Sequence, residues 1–77
     1  MTKKRRGPGY EWSDARLADR DHVFASLRRI YPRRAAWRWM EVPHEAFGGK
    51  NAYSLILSGR TGEVLAEVDR LATGAYV

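Results

Sequence analysis

Cysteine is absent from the 77 residues, which excludes a disulfide framework and any thiolate nucleophile or metal ligand. No run approaches the roughly 18 apolar residues that a membrane span requires, and no apolar segment of a secretory signal follows the basic N-terminus. A cytoplasmic location is therefore expected. Histidine is scarce as well: His22 and His44 stand 22 residues apart with no shared motif, and His22 reads as a surface or boundary residue. Acid–base chemistry needs positioned titratable groups and hydrolytic metal sites need clustered ligands. The expectation is a protein that is not an enzyme, with no cofactor and no metal.

What is present is positive charge, a net +5 from 14 Lys and Arg against 9 Asp and Glu. Its placement is uneven. Lys3, Lys4, Arg5 and Arg6 form a block at the front, and Arg28, Arg29, Arg33, Arg34 and Arg38 form a second cluster in the middle. From Glu41 onward five acids face three bases, a local charge of −2. A basic front and an acidic back suit different partners.

The length allows one domain, near the lower limit for a self-sufficient core, so help from a partner or a second copy is expected. Residues 1–12 read as a flexible basic arm and residues 13–77 as a helical domain. The arm combines the charge block with Gly7-Pro8-Gly9 and has no apolar periodicity. It is either a phosphate-contacting arm or a solubilising tail. Tyr10 and Trp12 are expected to be the first residues to reach the core, with base stacking as the sharper alternative.

Ser13 is a candidate N-cap, with Asp14 suited to the positive end of the helix dipole. Helical periodicity runs weakly over Asp14–Arg20 and clearly over His22–Tyr31, with Asp21 as an alternative cap for the second stretch. Pro32 ends that helix and fits the first turn of the next. In the following segment Ala36, Trp37 and Met40 are expected inward with Trp39 at the edge, and the arginines either meet phosphate or cover apolar neighbours. Pro43 stops this helix, Phe47 plugs the core from a loop, and Gly48-Gly49 makes the corner. Asn51 caps a short buried helix carrying Tyr53, Leu55, Ile56 and Leu57. The turn Gly59-Arg60-Thr61-Gly62 leads into the last helix, capped by Ser58 or Thr61. Neither glycine cluster has the strand context or lysine–serine pair of a phosphate-binding loop.

The clearest helix is the last. Val64, Leu65, Val68, Leu71 and Ala72 form one apolar stripe, with Glu63, Glu67, Asp69 and Arg70 off it. Gly74 is expected to close the helix with positive φ, leaving Ala75, Tyr76 and Val77. The fold class is all-α: a small bundle of four to five short helices.

The order of these signals from about Val23 to Val77 resembles the toxin-binding domain shared by MbcA/ParS/Xre-type antitoxins, the C-terminal domain of Xre antitoxins paired with RES toxins. The matching landmarks are Ala36-Trp37, Pro43 with Phe47 after it, Gly48-Gly49, Asn51-Ala52 leading to Leu55 and Ile56, Gly62, and the Val64-to-Leu71 stripe ending in Gly74. The resemblance implies a module that binds a RES-fold, NAD-consuming toxin, obstructs its cleft with the C-terminal end, and self-associates. Carried onto this chain, the partner-binding residues are Arg70, Leu71, Gly74, Ala75, Tyr76 and Val77. Full-length relatives usually carry an N-terminal helix-turn-helix domain, for which the roughly 20 residues before Val23 are too few. The alternative expectation is a small basic DNA-binding regulator, of a host or a mobile element, using the arm and the arginine cluster. A homo-oligomeric structural module is the third.

Overall fold

The computed structural model describes residues 12–74. Four α-helices, α1 (Asp14–Leu27), α2 (Arg33–Glu41), α3 (Ala52–Leu57) and α4 (Thr61–Gly74), and one 3-10 turn at Glu45–Phe47 make an all-α bundle. The remaining regular pairing among the described residues is an isolated antiparallel bridge between His44 and Lys50. No described helix is long and apolar enough to cross a membrane. The expected arm falls outside the described residues except for Trp12, which belongs to the bundle: its ring meets Tyr53 edge to face at 5.8 Å.

Ser13 caps α1 by accepting from the Arg16 amide at 3.2 Å. The helix then runs unbroken through Asp21, so that residue caps nothing. The polar stretch that weakens the apolar pattern is occupied with other elements. Arg16 donates to the Ile56 carbonyl at 3.1 Å and pairs with Asp19 at 3.3 Å, while Asp19 accepts from the Thr61 hydroxyl at 3.1 Å. Its charged residues thus fasten α1 to the α3–α4 corner, and Val23 and Leu27 enter the core one and two turns later. The helix stops at Leu27, four residues short of the expected Tyr31, because a turn over residues 28–30 intervenes. The Ile30 and Tyr31 amides both donate to the Leu27 carbonyl. Pro32 is extended at φ −66°, ψ 163° and is the N-cap of α2 rather than a residue of its first turn.

Within α2 the two tryptophans exchange their expected places. Trp39 is buried at 9% exposure, and Trp37 is only half-buried. At about 100° per residue the two indoles flank the Ala36–Met40 direction symmetrically, roughly 80° to either side. Periodicity alone gives no preference between them; the neighbours decide. Trp39 is walled in by His44, with centroids 4.3 Å apart, and by Phe47 at 5.8 Å. Trp37 lies against α1, stacked on Phe24 at 4.0 Å.

After Pro43 the chain makes a tight loop. The His44 carbonyl accepts from the amides of Phe47 and Gly49, and the His44 amide donates to Lys50. Gly48 and Gly49 take φ of 67° and 85°, a region that penalises a Cβ. This loop seats Phe47 in the core at 4% exposure. Asn51 caps α3 by accepting from the Ser54 amide at 2.9 Å, and its side-chain amide donates to the Glu41 carbonyl at 3.2 Å. One side chain therefore joins the end of α2 to the start of α3. At the other end of α3, Gly59 at φ 81° completes a Schellman stop: the Arg60 amide reaches the Leu55 carbonyl and the Gly59 amide reaches Ile56.

Neither Ser58 nor Thr61 caps α4. The Ser58 hydroxyl donates back to the Ser54 and Leu55 carbonyls, and the Thr61 hydroxyl is given to Asp19. Arg60 precedes the helix and forks onto Glu63 in its first turn, at 2.9 and 2.8 Å. The core that results consists of Val23, Leu27, Ala36, Trp39, Met40, Phe47, Ala52, Leu55, Ile56, Val64 and Val68. Replacing Asn51 by alanine should remove both the cap and the link to Glu41, costing about 1–2 kcal/mol in urea unfolding with little change in m-value; an unchanged midpoint would mean the double role of this side chain is illusory.

Candidate functional site

Two surfaces collect the residues singled out in the sequence. The first is the far end of α4. Val64 and Val68 are buried, Leu71 packs half-buried against the core, and Thr73 and Gly74 are exposed. Among the described residues Val68 is the last fully buried side chain, six residues before Gly74, or about 9 Å along the axis at 1.5 Å per residue. Gly74 is still helical and lacks the positive φ expected of it, and a Cβ there would meet nothing within 4 Å. The positive-φ stop of an α-helix is found instead at Gly59, after α3. Ala75, Tyr76 and Val77 lie outside the described residues.

Arg70 forks onto Glu67 with Nε–Oε1 at 2.9 Å and Nη2–Oε2 at 2.6 Å. The Arg70 side chain is 68% exposed and that of Glu67 is 15% exposed, so the pair presents its cation and shelters its anion. A polar hollow beside it is lined by His44, Glu45, Ala46, Glu67 and Arg70. The loop before α3 and the final turns of α4 thus share one surface. The hydrogen bond from Arg70 holds the Glu67 carboxyl below the usual carboxylate range; burial opposes this, and the charges of Arg70 and His44 reinforce it. His44 Nε2 lies 2.7 Å from the Trp39 carbonyl. A carbonyl only accepts, so Nε2 carries the proton. Among the described residues no group of three or more His, Asp or Glu is placed to hold a metal ion.

The second surface is the outer face of α2. Arg33, Arg34, Trp37, Arg38 and Glu41 line a hollow along it, and all three arginines are exposed. Among the described residues none of the three has a carboxylate within 4.0 Å; the ion pairs there are Arg16–Asp19, Arg20–Asp21, Arg60–Glu63 and Arg70–Glu67. Arg28 and Arg29 sit outside this hollow in the turn after α1, where Arg28 donates to the Tyr31 carbonyl at 3.3 Å. Lys3, Lys4, Arg5 and Arg6 lie outside the described residues.

Sequence reasoning passed over two contributors to this face. Arg20 is held between two indoles, its guanidinium 6.0 Å from the Trp12 ring and 5.9 Å from the Trp37 ring. Its spacing of one helical turn from Phe24 was the available signal, since both must approach Trp37 from α1. Tyr53 is the other. Burial pushes its phenol above the usual value, Glu41 pushes it further, and Arg20 works against both. Residues from α1, α2 and α3 therefore converge on one neighbourhood.

No family model, no curated protein and no solved structure matches this chain.

Because the folded Glu67 carboxyl ionises below its unfolded value, its contribution to stability is complete above the unfolded glutamate pKa of about 4.3 and is lost as pH falls through the lower folded value. In Arg70→Ala the Glu67 carboxyl should titrate closer to the ordinary glutamate value by carboxyl-resolved NMR. An unmoved titration would remove Arg70 as the cause.

Proposed function

We infer that the protein is a non-catalytic protein-binding module of antitoxin type, which neutralises a RES-type, NAD-consuming toxin by entering its cleft with the chain at the end of α4. The observation that carries this reading is the mounting of α4. Val64 and Val68 fix one face of the helix in the core, Leu71 holds the last turn down, and Arg70 and Gly74 stand at the surface. A chain leaving a fixed helix starts in a set direction, so inserting it loses less conformational entropy than inserting an untethered end.

Several landmarks of the antitoxin resemblance support the reading because they have a structural task in the bundle. Ala36 is fully buried at the centre of α2, Phe47 fills the core, Gly48 and Gly49 make the left-handed corner, Asn51 caps α3, and Leu55 and Ile56 are fully buried. These positions build the support beneath α4. The binding residues are then Arg70, Leu71 and Gly74 with Ala75, Tyr76 and Val77 after them, and the hollow at His44, Glu45 and Glu67 forms the adjoining rim.

The test is a pull-down from the native host with the full chain as bait, followed by co-expression of the captured toxin with the full chain or with a variant lacking residues 75–77. The expected outcome is capture of a RES-fold protein by the full chain, loss of neutralisation in the shortened variant, and identical helicity by circular dichroism. Full neutralisation by the shortened variant rejects the tail as effector. Capture of no such protein rejects the partner class.

A further inference from the structure

The arginine–tryptophan face of α2 shares no lining residue with the hollow beside α4, and toxin binding at the end of α4 gives it no task. Three observations bear on its occupant. The hollow carries three arginines against one glutamate, a local charge of +2. The Trp37 indole in its wall is half-exposed, with Phe24 stacked on it at 4.0 Å and the Arg20 guanidinium 5.9 Å from its centroid. Beyond Arg20 the aromatic surface continues through half-buried Trp12 to Tyr53.

We propose that this face binds a single-stranded nucleic acid, with phosphates on Arg33, Arg34 and Arg38 and a base against Trp37. Cations alone suit any polyanion; aromatic rings set among them narrow the choice. Every nucleobase offers a π face to a ring when the strand is unpaired, and such stacking tolerates any sequence. In a duplex those faces are already stacked on one another, so a half-exposed indole gains little there. An acidic polypeptide has charge to offer the arginines but no flat face to offer the ring. Arg20, braced between Trp12 and Trp37, keeps positive charge beside the rings.

The experiment uses the full chain and a fluorescently labelled oligo-dT, read by anisotropy at about 50 mM salt and at higher salt, with the same label on a duplex of equal length and with polyglutamate as competitor. Oligo-dT should bind more tightly than duplex, and polyglutamate should compete poorly. Replacing Arg33, Arg34 and Arg38 together by alanine should weaken binding at least about tenfold and flatten the log–log salt slope by about 2, from roughly 0.7 per phosphate contact on a single strand. Trp37→Leu should weaken it at least about fivefold, with Trp37→Phe restoring most of the loss. Circular dichroism of each variant identifies any that fails to fold; the exposed arginine triple is the variant on which the decision then rests. The proposal is overturned by no binding at low salt, by equal or tighter binding of duplex, by competition from polyglutamate as effective as from oligo-dT, or by a folded arginine triple that binds as the parent does.

Discussion

A helix of six residues does not persist alone in water, since it pays for nucleation with almost no propagation to follow. Yet α3, at Ala52–Leu57, packs against all three other helices, as the much longer α1 does. Its existence depends on its ends and its burial. Asn51 closes the first turn, the Schellman stop at Gly59 closes the last, and Ala52, Leu55 and Ile56 are fully buried between them. α1 meets α2 and α4 directly, and this short helix fills the core between them. The cooperative unit is therefore the bundle as a whole.

The same dependence explains where polar side chains are used. Buried polar groups are absent from the described core, and the specific polar contacts lie around the rim of α3. Arg16 reaches its last turn from α1, Asp19 takes the Thr61 hydroxyl at the start of α4, and Asn51 ties its first residue back to α2. Apolar packing supplies the general attraction; these contacts fix how α1, α2 and α4 are arranged about a common centre. Individually exposed pairs such as Arg60–Glu63 add little stability, but they cover the outer turns of α4 without consuming apolar surface.

Much of this was legible in the residue order. Ser13 and Asn51 as caps, Phe47 as a core plug, the Gly48-Gly49 corner and the Val64–Val68 stripe follow from local chemistry, and local chemistry decided them. The misses share another cause. Asp21 had the chemistry of a cap but sits in a helix whose polar residues are used by α3 and α4. Trp37 and Trp39 are equivalent by angle, and only the position of the His44–Phe47 loop distinguishes them. Gly74 had the chemistry of a stop, but it is itself helical and has no positive φ. The cationic side of the molecule was visible as a cluster of arginines. Its aromatic half was not, because Trp12, Arg20 and Tyr53 are brought to α2 by tertiary packing from three separate segments.

The mounting of α4 also makes its outer end sensitive to phase. Between Val68 and Gly74 the helix is straight accounting of angle: each residue inserted or removed there turns everything downstream by roughly 100° and shifts it by only about 1.5 Å. Reach changes slowly with length, but compass heading changes at once. A one-residue difference in this stretch would leave the bundle intact and point its outgoing chain a quarter-turn away, while a seven-residue difference would restore nearly the original heading farther out. Such a mount can accept sequence drift on its surface far more readily than drift in its count.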